Sequence, residues 1–410
     1  MKKITATLTP DQTQCLKTQT FSDNEPGTLL KDFSTLLEFI GSTGIPVSGK
    51  NHLLAIKLLP QLNQLMSSPL DVRLKRPQQK SFPHINGLYL LLRASGLTKI
   101  AFEKKHAFVM LDHKVLADWQ SLNPTERYVA LFQAWWHRGN AEIIGERWDY
   151  YNGLYDSLDF FLNTLGDGLN LKEKPHDFAY LRYRPGFHNL ALMALFGFIR
   201  IEQDTALSGE NWPIVNIVPS PWGRALLTHF AKHITSFDEP VNEPSDDELM
   251  ALWASELKTY LPELEKGLKQ PEPEESQDNV YVFKVILGSA YRKIAVPGDT
   301  GLEKLASTIL RAFNFDNDHL YEFVYKNRYG ITERVVHPYV ESDELCTTDC
   351  IVGELPLYQG MELIFHFDFG DNWRFQMVVE SITSKDISYK EPTIIEQRGN
   401  PPEQYPDWEG

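Results

Sequence analysis

Leu363–Ile382 reads LIFHFDFGDNWRFQMVVESI, and its alternation of apolar and polar residues on either side of Gly370-Asp371-Asn372 predicts a β-hairpin. With a three-residue loop on Gly370–Asn372, one face pairs Phe369 with Trp373, Phe367 with Phe375, Phe365 with Met377 and Leu363 with Val379. Every one of these pairs is apolar. The other face pairs Asp368 with Arg374, His366 with Gln376 and Ile364 with Val378. A two-residue loop on Gly370-Asp371 would set Phe367 against Arg374 and lose the match. A one-residue slip would exchange the two faces, so the pattern specifies which side chains are buried. Asn372 falls where such a loop needs a left-handed residue, a conformation that Asn tolerates.

Outward from the hairpin, residues 280–410 read as a separate α+β domain. VYVFKVIL (Val280–Leu287) predicts a strand, Gly288-Ser289 a turn and YRKIAVP (Tyr291–Pro297) a second strand. GLEKLASTILRAF follows, with Leu302, Leu305, Ile309 and Phe313 on one helical face, and LYEFVYK (Leu320–Lys326) predicts a third strand. Two strands, a helix over them and further strands suggest a β-grasp-like sheet with one face covered.

Within this domain AFNFDNDHLYEF, HFDFGDNW, VVES and the closing NPPE resemble the Ri-plasmid ORF-three-like family, whose members are also described as passenger proteins of an insertion element. The resemblance covers about a third of the chain. Its motif positions are His319, Asp368, Gly370, Asp371, Asn372, Trp373 and Arg374. Three positions depart from the family pattern: Phe315 stands where Trp is usual, Phe375 where His is usual, and QYPDWEG replaces a Gly-rich end. The resemblance implies an association with mobile elements and no established reaction. Some relatives carry a helical N-terminal extension with a motif like PQQKSFPHINGLYLLLRASGL, found here at Pro77–Leu97.

At 410 residues the chain is long for a single core, so more than one domain is expected. No run is long and apolar enough to span a bilayer, and no apolar signal core follows the N-terminal lysines; the cytoplasm is the expected compartment, without a membrane partner. Three cysteines build no disulfide framework. The net charge of −15 argues against nucleic acid binding by the whole surface. Met1–Met110, however, carries 14 Lys/Arg against 7 Asp/Glu, a balance of +7, which leaves −22 for the remainder. Such asymmetry points to a basic module joined to acidic ones.

The clearest break is KQPEPEESQDN (Lys269–Asn279), an extended linker by composition. Before it, a helix is predicted over Ser245–Leu268, opened by a Ser245/Glu248 capping box. Two earlier segments look alike. LYLLLRASGLTKI (Leu88–Ile100) leads through a charged stretch to FVMLDHKVLADW (Phe108–Trp119), and LALMALFGFIRIE (Leu190–Glu202) leads to PIVNIVPSPWGRALL (Pro213–Leu227). In both, a helix ending at Gly (Gly96, Gly197) precedes a strand, a loop, a return strand and a new helix. That order suits a winged helix, and equally a generic helix with a two-stranded appendage. The first wing holds Lys99, Lys104 and Lys105, and Arg73, Lys75, Arg76 and Lys80 lie upstream; these seven are the candidate nucleic-acid contacts. The second wing holds Glu202, Asp204 and Glu210 and would repel phosphate.

Other constellations favour plainer readings. Asp368-Phe369-Gly370 matches a kinase tripeptide without the accompanying loops, and Asp368 reads better as the cross-strand partner of Arg374. His319, His366, Asp368, Asp371 and Glu380 could hold a metal, but each also suits local turn or cross-strand work. Cys346 and Cys350 could share a helix face, yet fall short of a closed zinc set. No serine-recombinase set, G-x-S-x-G, H-E-x-x-H or P-loop occurs. Trp135-Trp136, Trp148, Tyr150, Tyr151 and Tyr155 could stack bases, but more often such residues fill a core.

The sequence thus predicts an α+β multi-domain protein. Residues 1–130 form a basic, helical, winged-helix-like unit, residues 131–236 a second such unit, residues 237–279 an acidic helix and linker, and residues 280–410 the β-grasp-like domain. The leading expectation is a non-enzymatic accessory protein contacting DNA or RNA, with no cofactor. The alternatives are a metal-dependent hydrolase or nuclease using Asp368 and His319, and a scaffold for protein partners.

Overall fold

The computed structural model describes residues 7–103, 106–146, 153–173, 175–210, 212–234, 245–270, 278–384 and 389–405. The chain forms two compact units, Met1–Ile100 with His106–Pro271, and Glu272–Gly410 with Ala101–Lys105. Both helices and sheets are present, so the protein is a mixed α and β, multi-domain chain. Among the described residues no helix is long and apolar enough to cross a membrane.

The first unit runs through α1 (Pro10–Thr18), α2 (Leu29–Ile40), β1 (Ile45–Ser48), β2 (Leu53–Leu54), α3 (Leu59–Leu65), α4 (Pro83–Ala94), β3 (Thr98–Glu103), β4 (His106–Leu111), α5 (His113–Ser121) and α6 (Pro124–Arg138). It continues with α7 (Gly153–Asp159), β5 (Leu169–Asn170), α8 (Pro175–Leu181), α9 (Phe187–Leu195), β6 (Ile199–Gln203), β7 (Ile214–Pro219), α10 (Pro221–Ile234) and α11 (Asp246–Leu257). The two similar segments of the sequence adopt the same local order, α4–β3–β4–α5 and α9–β6–β7–α10. Gly96 and Gly197 end their helices at φ +79° and +75°, where a Cβ would be strained. The residue after each glycine then accepts from the cap of the next helix, Asp112 N–H to Leu97 O at 2.9 Å and Ser220 N–H to Phe198 O at 2.8 Å. The cap side chains repeat the pattern: Asp112 accepts from the amides of Lys114 and Val115, and Ser220 Oγ from that of Gly223.

Helices α4 and α9 approach closely at Gly87, where an added Cβ would lie 2.8 Å from Leu192 Cγ and 2.9 Å from His188 O. Around them Phe132, Trp135, Trp136, Phe196, Phe198, Phe230 and Trp253 are fully buried. Trp135 and Trp136 therefore fill the core rather than stack bases, and Tyr155 lies against Trp136 at 4.7 Å. Trp148, Tyr150 and Tyr151 lie outside the described residues. The Ser245/Glu248 capping box forms as the sequence predicts, but α11 ends at Leu257 instead of reaching Leu268. Pro262 cannot continue a helical ladder and disfavours helix in the residue before it.

The second unit holds β8 (Asn279–Leu287), β9 (Ala290–Pro297), α12 (Leu302–Ala312), β10 (Tyr321–Lys326), β11 (Thr332–Val336), β12 (Leu345–Cys346), β13 (Glu362–Phe367), β14 (Trp373–Ser384) and β15 (Thr393–Arg398). They form one eight-stranded sheet in the order β12-β11-β10-β13-β14-β8-β9-β15. Leu302, Leu305, Ile309 and Phe313 of the α12 segment are buried in one cluster with Phe283, Phe323, Phe365, Phe367, Phe375 and Met377. Phe315 stands edge-on to Trp373 and Phe375 at 5.1 and 5.5 Å. Two of the positions that depart from the family pattern thus touch each other.

The β13–β14 hairpin forms, with Phe367 and Phe375 on the same buried face, but its register differs from the sequence reading by two residues. Phe367 faces Trp373, Phe365 faces Phe375 and His366 faces Arg374, so the loop is Asp368–Asn372 and has five residues. An even shift preserves the faces. Asp368 explains the longer loop: it is left-handed (φ +52°), as is Asn372 (φ +58°), and its Oδ1 accepts from the amides of Gly370 and Asp371 at 2.9 and 3.3 Å. Released from the ladder, Phe369 turns back over His366 at 5.0 Å instead of pairing with Trp373. The expected Asp368–Arg374 cross-strand pair gives way to Arg374 Nε donating to Asn372 Oδ1 at 2.9 Å.

Removing the Phe375 ring from the seam beneath α12 should cost about 3–5 kcal/mol, since the cavity cannot collapse among so many rings. Urea unfolding of Phe375→Ala measures it, and a cost below about 1 kcal/mol would contradict this packing. Acid should weaken the first unit. Burial pushes His84 and His188 down from 6.5 to about 4. The unfolded chain therefore takes up protons below about 6.5 that the folded unit refuses until about 4. Stability is full above that window, falls as pH drops through it and levels off below. Thermal unfolding of wild type and His84→Gln/His188→Gln checks this, the double variant losing less over the window.

Candidate functional site

The loop end of the second unit gathers the family-motif residues. The 368–372 loop lies beside the turn before β10, tied by Asp368 N–H to Leu320 O at 2.9 Å. His319 Nε2 lies 3.5 Å from Asp368 Oδ2, 4.0 Å from Asp318 Oδ1 and 3.1 Å from the Tyr405 hydroxyl. Tyr405 donates to Asp318 Oδ2 at 2.6 Å, and Gln404 Nε2 donates to Asp318 Oδ1 at 3.0 Å. Because the hydroxyl proton is committed to Asp318, the imidazole Nε2–H is the donor in its contact with Tyr405. The Tyr405 hydrogen bond holds Asp318 below the usual carboxylate range, and the same bond pushes Tyr405 up to about 12. The network is therefore intact at neutral pH. Gln404 also accepts from the Asp316 amide at 2.6 Å, which fixes the segment after β15 to the turn.

Gln404 and Tyr405 belong to the QYPDWEG stretch that departs from the family pattern, and the sequence reading passed over both. The signal available was weak: a polar–aromatic pair distant in sequence from the motif it completes. Gly370 and Asp371 form the exposed tip of the loop, and Trp373 turns inward against Phe315.

The other residues weighed as a metal cluster are drawn apart. His366 Nδ1 faces Glu322 Oε1 at 3.0 Å, and Glu322 Oε2 faces Arg334 at 3.3 Å. Glu380, at a bulge in β14, shares Lys293 with Glu396, each contact being 3.0 Å. Cys346 ends β12 and Cys350 follows in a turn, so they share no helix face; both thiols are free, and burial pushes Cys350 up.

Of the basic candidates, Arg73, Lys75, Arg76, Lys80 and Lys99 are exposed, while Lys104 and Lys105 lie outside the described residues. Arg73 is engaged: its Nε contacts Asp71 at 2.7 Å, and its backbone pairs with Gly209 and Glu210 of the acidic β6–β7 loop. A group that the sequence reading missed lies in the first unit. His229, His233 and Glu256 bring their ligand atoms within 4.8 Å of one another. The i, i+4 spacing of the two histidines was visible; the carboxylate from the next helix was not.

Residues 280–410 match the model of the family described as plasmid pRiA4b ORF-3-like protein. No curated protein matches the chain at a significant level. A solved structure, a protein of unknown function from Methanosarcina mazei Go1, is similar at 20% identity over 30% of this chain and 72% of its own, with a TM-score of 0.27.

The Asp368 carboxylate caps its own loop, so Asp368→Ala should lose about 1 kcal/mol from the missing hydrogen bonds and the left-handed backbone, and Asp368→Asn about half of that. Urea denaturation of the two variants tests the order; equal losses would remove the role given to the side-chain oxygen.

Proposed function

We propose that the chain is a non-enzymatic binding protein whose C-terminal unit captures a positively charged protein segment at the loop end. The observation that carries this reading is the pairing of acid with exposed apolar surface. Asp316, Asp318 and Asp371 are exposed around Phe369, Tyr405 and Leu320, which keep 43%, 51% and 36% of their surface in water. Aromatic anchors ringed by charge are the usual makings of a protein contact. The closed Tyr405–Asp318–His319 network holds the rim in one geometry, which lowers the ordering cost of binding. In this reading the sheet serves as a β-grasp-like platform.

A second reading keeps nucleic acid as a partner of the first unit and treats its two repeated modules as winged-helix-like. It is favoured by the exposure of Lys75, Arg76, Lys80 and Lys99 on or beside the first module. The engagement of Arg73 by Asp71 counts against it. Association with mobile elements follows from the family alone, and the cytoplasm remains the compartment proposed for the chain.

A single panel separates these readings. Full-length protein is titrated with lysine/arginine-rich peptides, acidic peptides, duplex DNA and single-stranded RNA at two salt concentrations. The first reading expects basic peptides to bind and Phe369→Ala with Asp371→Asn to weaken them by about tenfold, as for loss of a hot spot. The second expects DNA or RNA binding with a steep salt slope that Lys75→Ser/Arg76→Ser/Lys80→Ser abolishes. Basic peptides that bind no better than acidic ones, or that ignore the Phe369 and Asp371 changes, would overturn the first.

A further inference from the structure

We infer that His229, His233 and Glu256 form a binding site for a first-row divalent metal ion of the zinc class, held between α10 and α11. The inference is independent of the loop end and of any partner bound there.

Local geometry starts with spacing. HFAKH places His229 and His233 four residues apart on α10, so their imidazoles project from one helical face, one turn apart. Their ring centres are 5.5 Å apart. Helix α11, opened by its Ser245/Glu248 capping box, brings Glu256 to the same place. Glu256 Oε2 lies 3.3 Å from His233 Nε2 and 3.9 Å from His229 Nε2. A tetrahedral zinc with bonds of about 2.0–2.1 Å requires ligand atoms about 3.4 Å apart. The two Glu256 contacts are near that spacing, and the three atoms all lie within 4.8 Å of one another, so closing on one ion would also draw the two imidazoles together.

The burial points the same way. His229 is fully buried, and neither of its ring nitrogens has a hydrogen-bond partner. His233 is 8% exposed, and its Nε2, although near Glu256, is not aligned for a hydrogen bond. A buried imidazole without a partner leaves its polar atoms unsatisfied. A metal ion would satisfy the nitrogens that face Glu256. Tyr260 lies against His229, the ring centres 5.4 Å apart and the planes near perpendicular. Glu256 is half exposed, so its carboxylate is open to solvent. Two imidazoles and one carboxylate suit zinc, cobalt or nickel better than magnesium or calcium, which prefer all-oxygen shells. Lys232, the neighbouring cation on α10, opposes a cation, and at His233 the Glu256 carboxylate acts in the other sense.

The test is titration of metal-stripped full-length protein with cobalt(II), followed by visible absorption and by competition with zinc. One equivalent should give the intense bands of a four-coordinate ion, zinc should bleach them, and the thermal midpoint of the first unit should rise. Glu256→Gln and His233→Gln should each weaken cobalt binding by more than about tenfold, the loss that even an outer-shell change produces. Far-UV circular dichroism confirms that each variant is folded. Glu256→Gln, at a half-exposed position, decides the matter if His233→Gln does not fold. A wild-type chain that takes up no cobalt, or a Glu256→Gln chain that binds it unchanged, would overturn the inference.

Discussion

Phe367 and Phe375 project from the central hairpin onto Phe313 and Phe315 just past α12, with Phe365 packed beside Phe375, and the second unit is arranged around that contact. The rings pack edge-on and tilted, the geometry in which aromatic quadrupoles attract. β13 and β14 lie in the middle of the eight-stranded sheet, so the contact also sets where β10 and β8 pair. Arg292 fastens the C-terminal end of α12. It is buried over Phe313, donates from Nε to Ala312 O at 2.8 Å, and reaches the Arg398 and Gly399 carbonyls through Nη1. A cation at a helix C-terminus is favoured by the exposed carbonyls there. The last part of the chain is thereby held against the same helix that the aromatic seam supports.

The loop end follows from this frame. With α12 fixed, the turn at Asp316–Leu320 meets the 368–372 loop, and the segment after β15 returns to it through Gln404 and Tyr405. Carboxylates that would repel one another are kept together by donors: Tyr405 and Gln404 for Asp318, loop amides for Asp368. Exposed rings beside those carboxylates give the surface both an apolar anchor and a charge. The histidine–carboxylate group of the first unit is built oppositely, with two buried imidazoles whose His229 nitrogens and His233 Nε2 are unsatisfied beside a half-exposed carboxylate.

Much of this was written in the chain where a pattern repeats. Period-two alternation identified the faces of β13 and β14, and those faces survived a two-residue error in register because the error was even. Loop length depends on one side chain, Asp368, whose oxygen serves its own turn; alternation carries no trace of that. The helix–glycine–strand–strand–helix order was legible twice, since Gly96 and Gly197 both require a left-handed stop. Long-range partners were not legible. Nothing near His319 announced Tyr405, and nothing near His229 announced Glu256. Charge counting could not show that Arg73 already contacts Asp71.

If the aromatic seam organises the second unit, its hairpin opens only when that whole unit opens. Native-state hydrogen exchange of the full chain, resolved by peptide, measures this directly. The account predicts that the amides of Phe365, Phe367 and Phe375 exchange as slowly as those of β8 and α12, and that all of them accelerate together in Phe375→Ala. Hairpin amides that exchange quickly and independently of α12 would contradict it.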